Sequence, residues 1–148
     1  MKGERRLVER VLLRWTRLAE GRRFPRLNEI NHWIMGEDWA NCLLIAVQSP
    51  IELSHFTAVG ENLAVALCPA DTLAGVLLSH LPWVVSSRCC LMVEGEATLR
   101  NVPILYRGAL LPLSEDGRAI DHVLGAANHR ARNPDEGPIK QATRKRWI

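Results

Sequence analysis

Residues 4–20, ERRLVERVLLRWTRLAE, place Leu7, Val8, Val11, Leu12, Trp15, Leu18 and Ala19 at three- and four-residue spacing. That period draws one apolar stripe along a helix, with Arg6, Glu9, Arg10, Arg17 and Glu20 on the other side and Leu13 as the misfit. Gly21 stops the helix and Pro25 keeps it from resuming. The stripe admits three uses: packing on its own domain, a seam with a protein partner or second copy through Leu7, Val8, Val11, Trp15 and Leu18, or contact with a membrane surface.

The stretch RLNEINHWIMGEDWANC has no period, and Trp33 and Trp39 are expected to cover part of the core. NCLLIAVQ is an apolar run of strand length that ends at Ser49-Pro50. ELSHFTAVG then alternates, with Ser54, Phe56 and Ala58 on one face and Leu53, His55, Thr57 and Val59 on the other, so the two runs read as a hairpin. Pro69 and Asp71 mark the entrance to a nearly all-apolar helix from about Thr72, broken at Pro82. RCCLMVEGEATL, a turn at Arg100-Asn101, VPILYRGALLPL, the SEDGR turn and AIDHVLGAAN complete three further strands. Two strands and three strands around a helical insert make an α+β fold with a five-stranded antiparallel sheet and helices covering one face. The chain divides into an N-terminal amphipathic helix and turn (1–26), a sheet domain (27–128) and a basic flexible tail (129–148).

Composition narrows the function. At 148 residues the chain holds one core. No apolar run spans a bilayer and the charged start is no secretory signal, so the expected compartment is the cytoplasm. The four cysteines form no CxxC pair and no finger-like spacing, which points to reduced, structural thiols and no metal site. Charge is uneven: residues 1–26 carry nine Lys/Arg against three acids, 129–148 six against two, and 27–128 four against eleven. Basic ends on an acidic body argue against a dedicated nucleic-acid binder, although RKRWI and HRAR keep binding through the termini as an alternative.

Catalytic patterns are missing. No GxSxG, P-loop, GxGxxG or HExxH occurs. Glu94 and Glu96 share a strand face as a carboxylate pair would, and a solvated face explains them equally. His122 and His129 have opposite parity in a strand and cannot share a metal. His122 reads as structural. Phe56, Leu77, His80, Trp83, Met92 and Tyr106 are the candidates for a pocket between helices and sheet, a mixture that suits either a small-molecule cavity or a filled core.

RWTRLAEGRRFPRLNEI (14–30), FTAVGENL (56–63) and above all GALLPLSEDGRAIDHVLGA (108–126) resemble a PAS domain of the short bacterial stand-alone type. The last stretch is the most specific: a leucine-rich strand, Pro-Leu, an acidic glycine turn and an apolar strand form that family's closing hairpin. LNEIN stands where the family often has an acid followed by proline, and Arg88-Cys89 where it often has Arg-Pro. The resemblance implies a non-enzymatic sensory or adaptor domain that holds a small molecule or pairs with a protein, as a dimer through the N-terminal helix. It also opens a haem-sensor alternative through His80, because some members ligate haem from the helical side. No particular cofactor is implied.

Overall fold

The computed structural model of the chain describes residues 2–67, 71–133 and 142–146. Helix α1 (Lys2–Ala19) leads to a capped turn, α2 (His32–Met35), and a 3-10 turn, Gly36–Asn41. Strands β1 (Cys42–Ala46) and β2 (His55–Val59) form the first hairpin, with a cis Ser49-Pro50 bond in the link. A two-residue ribbon, β3 (Ala66–Leu67) and β4 (Asp71–Thr72), precedes α3 (Leu73–Leu78) and α4 (Leu81–Ser87). Long strands β5 (Cys90–Leu99), β6 (Val102–Leu113) and β7 (His122–Ala131) follow, and then β8 (Ala142–Arg146).

A five-stranded antiparallel sheet in the order β2-β1-β7-β6-β5 is the body of this α+β fold, and β8 adds a sixth strand on the outer edge of β5. The last strand of the second group thus closes against the first strand of the hairpin, with Leu43 opposite Gly125 and Leu44 opposite Leu124. The expectation of a flexible tail needs correcting at its described positions. Residues 129–131 continue β7, and Ala142–Arg146 pairs with Cys90–Glu94. The polar sequence ATRKR gives no apolar alternation to announce a strand, since its partner is a backbone edge.

Helices α3 and α4 lie on one face. Gly108 leaves room for Leu77 there, because a Cβ on Gly108 would stand 2.9 Å from the leucine Cδ2. Cys42, Leu44, Leu111 and Leu124 point to the other face, as the register requires, and are also buried. Helix α1 covers that second face. Cys42 Sγ donates to Asp38 O at 3.2 Å, and the Asp38 side chain in turn holds Arg10 and Arg14 of α1. Trp15, 1% exposed, donates from Nε1 to Pro112 O at 2.8 Å.

Leu7, Val8, Val11 and Trp15, expected as a partner or dimer surface, are therefore core residues of their own domain, and Leu18 is partly buried against them. The correction has a simple cause: a two-sided apolar sheet centre must be covered twice, and α1 is the second cover.

The single long helix expected to break at Pro82 is instead two. Thr72 caps α3, its Oγ1 accepting from Gly75 N at 3.0 Å, and the chain leaves the helix at Ser79–His80. Pro82 sits in the first turn of α4, where its missing N–H has no intrahelical role. Gly60 closes the first hairpin onto the preceding 3-10 turn, so that a Cβ would collide with the Ala40 carbonyl and lie 2.6 Å from Trp39 O. Gly60→Ala is expected to lose about 1–3 kcal/mol in urea unfolding, because the obstacle is backbone and cannot rotate away.

Candidate functional site

The six pocket candidates do not form one pocket. Leu77 and Tyr106 are buried on the helix-covered face, Leu77 against Gly108 and Tyr106 with its ring across Gly95. Phe56 faces Ile45 across the first hairpin and is partly buried, as is Trp83 on α4. Met92 is opposite Ala109, one residue out of step with the Gly95–Tyr106 pair, so it points to the α1 side of the sheet. It cannot share a cavity with Tyr106. The space beneath α3 and α4 is filled by Leu73, Leu77, Leu81, Val84 and Leu110, each 2% exposed or less.

His80 stands at the α3–α4 junction. Its Nε2 is closed off from solvent and makes no hydrogen bond, and burial lowers its pKa below the ordinary histidine value. Burial disfavours the imidazolium cation there relative to the neutral ring.

A cleft of about 250 Å³ opens between this junction and the 3-10 turn Ile51–Leu53. Ile51, Leu78, Leu81 and Pro82 give it apolar walls, with Glu52 and Ser79 as polar groups. The hydroxyl of Ser79 donates to Val76 O at 2.6 Å and is already engaged. None of the six candidates lines the cleft, although His80 lies between two residues that do. Its volume is below the roughly 300–1,000 Å³ of small-molecule pockets, and it suits one side chain or a fragment.

Glu94 and Glu96 share the α1-side face, as the strand parity requires. Each meets an arginine: Glu94 with Arg107 at 3.0 Å and Glu96 with Arg132 at 3.4 Å. These are ion pairs on the part of that face carrying Arg107, Asn128 and Arg130. His122 Nδ1 is 2.9 Å from Asp121 Oδ1, whose other oxygen accepts from Glu115 N at 2.7 Å, so this histidine braces the closing turn. In that turn Asp116 accepts from Arg118 N and Ala119 N, and Gly117 takes φ 79°. Its carboxyl pKa is lowered, first by the Arg118 N–H. SEDGR is a built turn.

Among the described residues no three His, Cys, Asp or Glu side chains are grouped to hold a metal. Cys42, Cys89 and Cys90 are buried, and burial pushes the Cys42 thiol up to about 12. A thiol so protonated is no nucleophile.

Two features of the irregular stretch 31–41 escaped the sequence reading. Asp38, 8% exposed, accepts from Arg10 Nε at 2.9 Å, Arg10 Nη2 at 2.6 Å and Arg14 Nη1 at 2.8 Å. The signal was present as arginines four apart on the polar side of α1, but their partner lies across a turn. Trp33, expected to cover the core with Trp39, is 84% exposed, whereas Trp39 does pack on the core. Comparison with known protein families, curated proteins and solved structures finds no match.

Proposed function

We propose that this chain is a non-catalytic PAS-type module that works in signalling by associating with a protein partner. One observation carries the reading: the space between the helices and the sheet is filled by the chain's own leucines, valine and tyrosine, and the cleft beside His80 is small. The two-plus-three sheet around a helical insert, and the SEDGR hairpin joining β6 to β7, support the PAS comparison. The absence of an activated base or nucleophile among the described residues fits a module without chemistry. A membrane role through a spanning helix has no support, since no helix of the described chain is long and apolar enough to cross one.

A small-molecule sensor is the second reading, favoured by the buried, unbonded His80 Nε2 next to that cleft. A group donating a hydrogen bond to the imidazole would relieve its cost of burial. Haem ligation by His80 is less well supported, because the walls around it leave a space smaller than a small-molecule pocket. Nucleic-acid binding through the basic N-terminal segment is weakened by the engagement of Arg10 and Arg14 with Asp38, and of Arg22 with Glu29.

Native mass spectrometry of the gently purified full chain tests the choice. Each copy is expected at the bare chain mass. A stoichiometric small molecule retained by the protein, and released by Ser79→Trp in the cleft, would overturn the adaptor reading in favour of the sensor.

A further inference from the structure

Residues 27–87, which build β1, β2, α3, α4 and both walls of the cleft, contain six acids (Glu29, Glu37, Asp38, Glu52, Glu61 and Asp71) and no lysine or arginine. Arginines from outside that stretch hold Glu29 and Asp38. Glu52 and Glu61 are exposed, and neither has a cationic partner among the described residues. These two carboxylates bracket β2, one in the turn before it and one in the turn after it.

Strand β2 stands at an end of the sheet and pairs with β1 alone. Gly60 N donates to Cys42 O at 2.7 Å, while Leu43 is opposite Val59 and Leu44 opposite Ala58. Val59 therefore falls between two ladder pairs, and its N–H and C=O point off the sheet. No other described strand meets that edge. Lysine and proline, the usual guards of an edge, are missing from HFTAV. Leu53 and Val59, 62% and 41% exposed, stand at its two ends. The register slips by one residue at Thr57, which keeps the regular edge short. At its start the edge runs into the cleft, which Glu52 and Ser54 line together with the apolar Ile51, Leu78, Leu81 and Pro82. An open edge beside a side-chain pocket is the arrangement for strand addition: main-chain hydrogen bonds supply affinity and the pocket supplies selectivity.

We infer that the outer edge of β2 takes an extended segment of a protein partner as an added strand, with one apolar side chain in the cleft and basic side chains against Glu52 and Glu61. The nature of the partner rests on the adaptor reading above. From His55 to Val59 the strand rises about 13 Å, so lysines or arginines four or six residues apart on the added strand, hence on one face, reach toward both carboxylates. The same charges exclude a second copy at this edge, because two-fold pairing would set Glu52 of one β2 beside Glu61 of the other. The chain's own basic strand, Ala142–Arg146, is already spent on β5.

Selection of random dodecapeptides displayed on phage against the full chain is the test, followed by amide hydrogen exchange with the best binder. Enriched sequences are expected to hold two Lys or Arg four or six residues apart among apolar residues, and the bound peptide should slow exchange at Val59. Fluorescence anisotropy with the labelled peptide should show binding that weakens with salt. Val59→Pro, which removes the outward donor, and Ser79→Trp, which fills the cleft, should each weaken it by roughly tenfold or more. In a chain carrying Glu52→Lys and Glu61→Lys the selection should turn to acidic sequences with the thermal midpoint unchanged, since both side chains are exposed. Enrichment without basic residues, binding that leaves β2 unprotected, or affinity indifferent to all these changes would overturn the proposal. So would the recovery of no binding peptide, and that result would leave the adaptor reading to be decided by the native mass alone.

Discussion

Replacing Trp15 by alanine is expected to cost about 3–5 kcal/mol, the range for removing a buried aromatic side chain. Trp15 is 1% exposed, lies at the centre of the α1 stripe and spans the gap to β6. Its removal leaves a large cavity between helix and sheet and strands the Pro112 carbonyl without its 2.8 Å donor. Against a total stability of about 5–15 kcal/mol for a domain, that loss unfolds a sizeable fraction of the chain near body temperature. Trp15→Phe separates the two contributions. It keeps most of the apolar contact and loses the N–H, so it should cost only about 1–2 kcal/mol. Urea unfolding followed by circular dichroism measures both. If Trp15→Ala kept near-native stability and changed only the oligomeric state, α1 would not be packed on its own sheet, and the stripe would again be a docking surface.

That contrast shows what apolar periodicity conveys. The spacing from Leu7 to Ala19 states that one side of α1 meets something apolar, and it is silent about whose surface that is. The same limit applies across the sheet. The alternation in HFTAV and the runs in CLLIA and VLGAA identify strands, and the turns at Arg100-Asn101 and SEDGR stand where Gly, Asn and Asp place them. Continuous burial from Cys42 to Ala46 and from Val123 to Ala127 means that both faces are covered, a point a sequence hints at only by lacking alternation. Pro82 misled because proline ends a helix interior and also opens a helix, and only the Ser79–His80 exit distinguishes the two. The pocket candidates failed at Met92 for reasons of parity: its strand runs ten residues with both faces in use, and only the pairing with Ala109 fixes its side. The cleft beside His80 was hidden for another reason, since half its wall comes from the link between β1 and β2, far away in sequence.

The second large effect is expected at Asp38, with a defined pH dependence. Its carboxyl pKa is lowered, first by the hydrogen bonds from Arg10, against the opposing cost of burial. A folded-state value below the unfolded one means that the ionised carboxylate favours the folded chain. The contribution is therefore complete above the unfolded aspartate value, about pH 4, and is lost as pH falls through the lower folded value. Asp38→Asn keeps the shape and removes the charge, leaving two guanidinium groups side by side without their counter-charge. At neutral pH this should cost about 2–3 kcal/mol, the scale of charge-assisted hydrogen bonds that are partly shielded from water. The half-exposed Arg10 keeps the figure below that of a fully buried pair. Stability curves of the natural chain and Asp38→Asn should run apart at pH 7, begin to approach as pH falls below about 4, and converge only below the lowered folded-state value, where both side chains are neutral. Coincident curves over the whole range would mean that the clamp adds nothing to folding. Convergence would instead identify this one carboxylate as what fastens the turn bearing Trp33 to α1.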